Sequence, residues 1–232
     1  RIRAIEISQD IERGGDGIVQ TLEVLPNALL DIGQNGNLDQ IGIPVTEVPD
    51  VTKPSILNVS LNYSQGLLVF TANEYIDSTP STKIDVGKLI LRQYEAEADV
   101  KDIYVDSPLS ILSEDGYTIQ IQISEAQRYR GVQMSGTPGG DGKGVYVEIV
   151  RGFANDIAQV PNGNQTLLVA EYDDIIGPTI EAATINYTDG TLRIFGSETI
   201  DSDPKNNTRP ELIRISNRTG DTGIVLEGAT VF

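Results

Sequence analysis

The chain contains no cysteine, no histidine and no tryptophan, and it has a single methionine. The usual zinc, haem and iron–sulfur centres, disulfides, histidine-dependent triads and cysteine nucleophiles are therefore excluded. Basic residues are also scarce: 17 Lys and Arg stand against 34 Asp and Glu, and the net charge of −17 repels nucleic acid and anionic lipid. No apolar run approaches the roughly 20 residues of a membrane span. These absences favour a structural or binding protein over an enzyme.

Six Asn-x-Ser/Thr sequons are present, at Asn58, Asn62, Asn164, Asn186, Asn206 and Asn217. The composition of 13 asparagines and 32 serines and threonines predicts about two such sequons by chance. The excess indicates N-linked glycans on a secreted, extracellular or cell-surface protein. The first residue is Arg1 rather than methionine, as in a processed mature chain or a fragment.

Two internal repeats run along the chain. Residues 54–77 (PSILNVSLNYSQGLLVFTANEYID) align without gaps on residues 178–201 (PTIEAATINYTDGTLRIFGSETID), with nine of 24 positions identical. Residues 14–34 (GGDGIVQTLEVLPNALLDIGQ) align on residues 139–159 (GGDGKGVYVEIVRGFANDIAQ), with eight of 21 identical. Self-similarity at a fixed spacing indicates an array of equivalent domains.

The order of the matched segments predicts one whole repeat and two half-repeats. Residues 50–174 hold a complete domain, residues 176–232 hold the front half of a second domain, and residues 1–49 hold a back half. We align RIRAIEISQ, from Arg1, on the segment of the complete repeat near Ile119. The chain is therefore expected to be two repeats long and interrupted within one of them.

Short runs rich in Val, Ile, Leu, Tyr and Thr, bounded by Gly, Pro, Asn and Asp, predict an all-β protein built of immunoglobulin-like β-sandwiches. In the first such run the apolar residues alternate with polar ones and are expected to face the core; they are Leu57, Val59, Leu61 and Tyr63. Ile185 and Tyr187 hold the same places in the second copy. Residues 125–130 are expected to form a single helical turn, and Gly66 and Gly190 to close hairpins.

Three short motifs occur in both repeats. The linkers are DVTKPS from Asp50 and DIIGPT from Asp174, the strand ends are VFTANEYID and IFGSETID, and the closing segments are DIGQNGN and DIAQVPNGN. They resemble the surface-layer type of bacterial immunoglobulin-like repeat, which long algal surface proteins also contain. Tyr75 and Thr199 stand where that family has proline. The resemblance implies the fold; such repeats serve as spacers, adhesins and lattice proteins alike.

Half-repeats expose unpaired strand edges and apolar faces, which must be covered. We expect residues 1–49 of one copy to complete residues 176–232 of another, giving a head-to-tail homopolymer such as a pilus-like filament. Strand 1–8 is the expected donor, with Ile5, Ile7 and Arg3 on the inserted face and Ile2 on the other. Two alternatives stay open: a window of a longer repeat protein acting as a spacer or adhesin, and a chain that folds back to close its own split domain.

Only metals that prefer oxygen ligands remain, and the acidic composition favours calcium. Carboxylates recur in both repeats at the linkers and strand ends; these candidate ligands are Asp50, Glu74, Asp77, Asp174, Glu198 and Asp201. The alternative is that these residues are solvated turn residues. No other cofactor is expected.

Overall fold

The computed structural model describes residues 5–93, 101–106, 108–112, 114–218, 220 and 222–231, without the side chains of Lys101 and Asn206. The chain divides into two compact units, Arg1–Ile175 and Ile176–Phe232. Strands predominate and helices are few, which agrees with the predicted all-β class. Within the described residues, no helix has the length and apolar character that crossing a membrane requires.

Among its described residues, the first unit contains three sheets and the α-helix Glu125–Met134, and residues 5–6 are also helical. The two-stranded sheet comprises β1 (Thr21–Val24) and β2 (Gln40–Pro44). The five-stranded sheet has the order β11-β3-β4-β8-β7, with β3 at Ile56–Asn62, β4 at Leu67–Ile76, β7 at Ser110–Ile111, β8 at Gly116–Gln122 and β11 at Ala170–Tyr172. The four-stranded sheet has the order β10-β9-β5-β6, with β5 at Leu89–Gln93, β6 at Lys101–Tyr104, β9 at Tyr146–Ile149 and β10 at Gln165–Leu168.

One apolar core joins the larger two sheets. Alternate residues of β4 are buried, as a strand with one face on the core requires. They pack in the same cluster as Leu91 of β5 and Val147 of β9, from the other sheet. The rings of Phe70 and Phe153 lie 5.3 Å apart within it. Residues 54–174 therefore hold a complete two-sheet domain.

The alternation predicted for β3 is wrong at its first residue. Ile56 is buried and Leu57 is exposed, whereas Val59, Leu61 and Tyr63 are buried as predicted. The register between β3 and β4 shifts between Ile56 and Asn58. This β-bulge adds one residue to the strand and reverses which side chain faces the core.

Helix α1 (Glu125–Met134) is ten residues long, so the predicted single turn is too short. Ser124 and Gln127 form a capping box at its start, each side chain bonding the other residue's backbone N–H. Its buried residues are mostly polar or small: Gln127, Arg128, Gly131 and Met134. The apolar periodicity that predicts a helix is therefore missing from the sequence. Short 3-10 helices occupy Ile11–Arg13, Ser81–Lys83, Val86–Lys88, Lys205–Asn207 and Pro210–Leu212.

Residues 14–47 repeat the local structure of residues 139–171. The Asp31 N–H donates to Asn35 O at 3.0 Å, and the Asp156 N–H donates to Val160 O at 3.1 Å. The Leu29 N–H donates to Asn37 Oδ1 at 2.8 Å, as the Ala154 N–H donates to the Asn162 side chain. Gln34 and Gln159 both have positive φ, 65° and 61°. β1 and β2 thus correspond to β9 and β10.

Residues 5–8 are not the predicted extended strand. Residues 5–6 are helical, and the Ser8 N–H donates to Ile5 O at 3.0 Å, as the Ser135 N–H does to Val132 O at the end of α1. The Gly17 N–H then donates to Ser8 O, as the Gly142 N–H does to Ser135 O, both at 3.1 Å. The sequences agree with this pairing, since RIRAIEIS aligns on RYRGVQMS of residues 128–135 with three identities. Residues 5–8 thus match the end of α1, not the segment near Ile119; Ile2 and Arg3 lie outside the described residues.

The second unit contains two antiparallel pairs, β12 (Ile180–Asn186) with β13 (Thr191–Gly196) and β14 (Arg214–Ile215) with β15 (Ile224–Val225). The β12–β13 pair has a register shift between Ile180 and Ala182, 124 residues after the shift in β3. The predicted hairpin glycines are confirmed, because Gly66 and Gly190 have φ of 63° and 72°. β12, β13, β14 and β15 therefore correspond to β3, β4, β5 and β6.

The complete domain runs from one end of its sheet to the other. β11 pairs parallel with β3, and Tyr172 lies beside Asn62, the last residue of that strand. The chain thus reaches β3 at Ile56 and leaves β11 at the opposite end of the same sheet.

Candidate assembly surfaces and carboxylate cluster

Three carboxylates of the first unit meet at one end of the complete domain. Asp50 precedes the first strand, Glu74 lies near the end of β4, and Asp156 follows β9. Each offers an oxygen atom, and these atoms all lie within 4.8 Å of one another. Glu74 and Asp156 are buried, so their charges interact in a medium less polarisable than water. Asp50 and Glu74 were predicted as ligands, whereas Asp156 was missed, although its recurrence as Asp31 was a signal.

The other predicted ligands do not belong to this cluster. Asp77 accepts bonds from Lys83 Nζ and Gln159 Nε2, each at 2.7 Å. Asp174 forms an ion pair with Arg128 of α1. In the second unit Asp201 accepts from Asn207 Nδ2 at 2.7 Å, and Glu198 is half-buried.

The carboxylate cluster has the ligand chemistry of a calcium site. Calcium takes six to eight oxygen ligands, of which the three acids would supply about half, and backbone carbonyls or water the rest. Asp156 Oδ1 also accepts the Val160 N–H at 2.8 Å, which fixes the orientation of this carboxylate. Calcium at the cluster would offset the repulsion among three like charges.

We expect about 10 mM calcium to raise the melting temperature of the chain. A dissociation constant of about 10⁻⁴–10⁻³ M, as in extracellular modules, predicts a stabilisation of about 1.5–3 kcal/mol at that concentration. Calorimetry with calcium or excess chelator measures the shift. Asp156→Asn keeps the oxygen that accepts from Val160 and removes one charge, so its calcium shift should be much smaller; equal shifts in both chains would exclude this site.

Four of the predicted sequon asparagines are exposed: Asn58, Asn164, Asn186 and Asn217. Asn62 is half-buried and accepts the Gln65 N–H at 3.2 Å through its side chain. The side chain of Asn206 lies outside the described residues. Among the four exposed asparagines, Asn186 Nδ2 donates to Asp189 at 2.8 Å and Asn164 Oδ1 accepts the Arg151 N–H at 2.7 Å.

A buried tyrosine links the first strand of the complete domain to its last. The Tyr63 hydroxyl donates to Glu171 Oε1 at 2.7 Å, while Glu171 Oε2 accepts the Gly136 N–H at 3.2 Å. Burial raises the pKa of the Tyr63 hydroxyl, and the adjacent Glu171 carboxylate raises it further. Glu47 holds the equivalent place in residues 5–49, and its carboxylate accepts the Gln9 N–H at 3.1 Å.

Apolar side chains that correspond to the core of the complete domain are exposed in residues 5–49 and in the second unit. Leu22 is 49% exposed, Tyr187 86% and Ile224 73%, whereas their counterparts Val147, Tyr63 and Ile103 are fully buried. Of the predicted donor residues, Ile7 is also exposed and Ile5 is half-buried. Exposed apolar surface of this extent is typical of an interaction site.

No family model, curated protein or solved structure matches the chain.

The edges of the small sheets correspond to paired edges in the complete domain. β5 pairs with β6 on one side and with β9 on the other. Its counterpart β14 pairs with β15, and no described residue occupies its second edge. β1, the counterpart of β9, pairs with β2 and likewise has a second edge that no described strand occupies.

Proposed function

We propose that the chain is a structural subunit of an extracellular fibre built from immunoglobulin-like repeats. In this proposal residues 1–49 of one copy complete residues 176–232 of another. The observation that carries it is the exposure, in both segments, of side chains whose counterparts form the buried core of residues 54–174. Burying matched apolar faces is the main favourable contribution to such an association.

Joining β1 to β14 would restore a four-stranded sheet. Its order would be β2-β1-β14-β15, the counterpart of β10-β9-β5-β6. In the complete domain Val147 lies opposite Leu91 and Glu148 opposite Ile90. The equivalent register places Leu22 opposite Ile215. It also places Glu23 opposite Arg214, and opposite charges on facing residues of neighbouring strands are favourable.

A polar contact would accompany the apolar ones. In the complete domain Tyr63 donates to Glu171. The corresponding pair is Tyr187 of one copy and Glu47 of the next, and the Glu47 carboxylate is already positioned by the Gln9 N–H. A hydrogen bond to a charged acceptor contributes about 1.5–3 kcal/mol.

Completion between copies agrees with the path of the complete domain. The chain reaches β3 at one end of the sheet and leaves β11 at the other, so the segments that precede and follow the domain attach at opposite ends of that sheet. A head-to-tail contact between copies then propagates as a filament. The same pole-to-pole path also favours the second candidate, a spacer or adhesin module of a longer repeat protein.

N-linked glycans and an extracellular location are part of the same proposal. The exposed sequons Asn58, Asn164, Asn186 and Asn217 support N-linked glycosylation and an extracellular location. With a net charge of −17, stacked copies repel one another, and salt or divalent cations would relieve that repulsion.

Engineered cysteines test the completion directly, because the chain has none of its own. Thr21 and Ser216 are exposed, and in the proposed register they lie opposite each other, as Tyr146 lies opposite Arg92. Residues facing across antiparallel strands have Cα atoms about 4.5–5.5 Å apart, within the range of a disulfide. The Thr21→Cys/Ser216→Cys chain should form a ladder of multimers under mild oxidation, and reductant should remove it.

A register-shifted pair is the matched control. In Thr21→Cys/Arg214→Cys the two positions are diagonal neighbours, about 7–8 Å apart, and should cross-link poorly. A disulfide-linked monomer of altered gel mobility would show that the chain closes on itself, which overturns the fibre. Equal ladders from both pairs, or from neither, would overturn the register and the completion.

A further inference from the structure

The outer edge of β13 is the second edge that the complete domain covers. There β4, the counterpart of β13, pairs with β3 on one side and with β8 on the other. In the second unit β13 pairs with β12, and no described residue pairs with its other edge. Ile194 of β13 is partly exposed, whereas its counterpart Phe70 is fully buried.

Strand β8 shows what such an edge binds. Its seven residues run antiparallel to β4, with Ile121 opposite Leu68 and Ile119 opposite Phe70. Ile119 and Ile121 are buried, and so is Ile123 just after the strand. The ligand of this edge is therefore an extended segment with β-branched apolar residues at alternate positions.

Residues 5–49 do not contain this strand. Residues 5–8 match the end of helix α1, which follows β8 in the complete domain, and β1 and β2 match β9 and β10. Joining residues 1–49 to residues 176–232 therefore restores the four-stranded sheet but leaves the outer edge of β13 open. This deduction rests on the proposed function, since it takes that join as given.

We propose that the outer edge of β13 is a binding site for a strand of the β8 type, distinct from the surface that residues 1–49 would cover. The bound segment lies antiparallel to β13. The residue at the place of Ile121 faces Leu192, and the residue at the place of Ile119 faces Ile194. The second unit then has two separate binding edges: β14 for the β1–β2 pair and β13 for a β8-type strand.

A peptide with the sequence of residues 116–124, GYTIQIQIS, is the probe. Labelled at its N-terminus, it should bind the full chain saturably in fluorescence anisotropy. Hydrogen exchange should slow at residues 191–196 when it binds. Lysine in place of both Ile119 and Ile121 in the peptide should weaken binding at least tenfold, and so should Ile194→Lys in the chain. Each change buries a charge against the apolar face. Arg193→Lys, on the other face of β13, should leave binding unchanged.

The outcomes separate this inference from the proposed function. Cross-linking of Thr21→Cys/Ser216→Cys chains without saturable peptide binding would overturn the β13 site alone. Peptide binding without cross-linking would support the β13 site and remove the completion by residues 1–49. Equal binding to the Ile194→Lys chain, or slowed exchange only within residues 67–76, would mean that the peptide exchanges with β8 of the complete domain, and would overturn the site.

Discussion

Chains carrying Leu22→Asp are expected to remain monomeric at concentrations at which the unmodified chain assembles. Leu22 is exposed on β1, and its counterpart Val147 is buried against β5 in the complete domain. An aspartate there would be buried opposite Ile215 without a cation, which costs several kcal/mol. Every 1.4 kcal/mol is a tenfold change, so the association should weaken by more than about 100-fold. Analytical ultracentrifugation and electron microscopy measure this effect.

The matched control is Leu38→Asp. Leu38 is 83% exposed and lies outside the strands, and its counterpart is Gly163, so a charge there should leave assembly unchanged. A second variant, Ile215→Asp, blocks the opposite surface. Mixing the Leu22→Asp and Ile215→Asp chains should give dimers and nothing longer, because one intact surface of each kind remains. Long filaments from Leu22→Asp alone would contradict the proposed contact.

The hairpin turns of the repeat could be predicted from the sequence because such turns require particular residues. Gly66 and Gly190 adopt the positive φ that their hairpins need, as predicted. Leu57 was assigned to the wrong face because a bulge shifts the register, and alternation alone does not reveal where a strand gains a residue. Helix α1 was underestimated because it buries Gln127 and Arg128 through hydrogen bonds rather than through an apolar stripe.

The candidate sites were predicted less completely than the fold. Residues 1–8 alternate in hydrophobicity as a strand does, yet residues 5–8 form the turn that ends α1 in the complete domain. Only the identities with residues 128–135 distinguish these two readings, and short matches are ambiguous. Asp156 joins Asp50 and Glu74 from more than 80 residues away, a tertiary contact that local pattern does not encode. Asp77 and Glu74 both recur in the second repeat, so the sequence predicted both as metal ligands. In the structure Asp77 instead accepts hydrogen bonds from Lys83 and Gln159.

Phe70→Ala and Ile194→Ala should differ sharply in their effect on stability, although the two positions are equivalent in the repeats. Phe70 is fully buried on β4 and packs on Phe153 with ring centroids 5.3 Å apart. Its truncation should cost about 3–5 kcal/mol and lower the melting temperature by about 10–20 °C. Ile194 is partly exposed in the second unit, so its truncation should change the free energy of unfolding of the isolated chain by no more than about 0.5 kcal/mol.

Ile194→Ala should become destabilising once the chain has assembled. Once residues 1–49 of another copy and a β8-type strand cover the second unit, Ile194 is buried as Phe70 is, and Ile194→Ala should then lower the melting temperature of the assembly as a core truncation does. Calorimetry of dilute monomer and of assembled material, with Leu38→Asp as the reference, measures both states. If Ile194→Ala leaves the melting temperature of both monomer and assembly unchanged, the second unit gains no buried core on assembly. The exposed face of β13 then has another role than binding a strand.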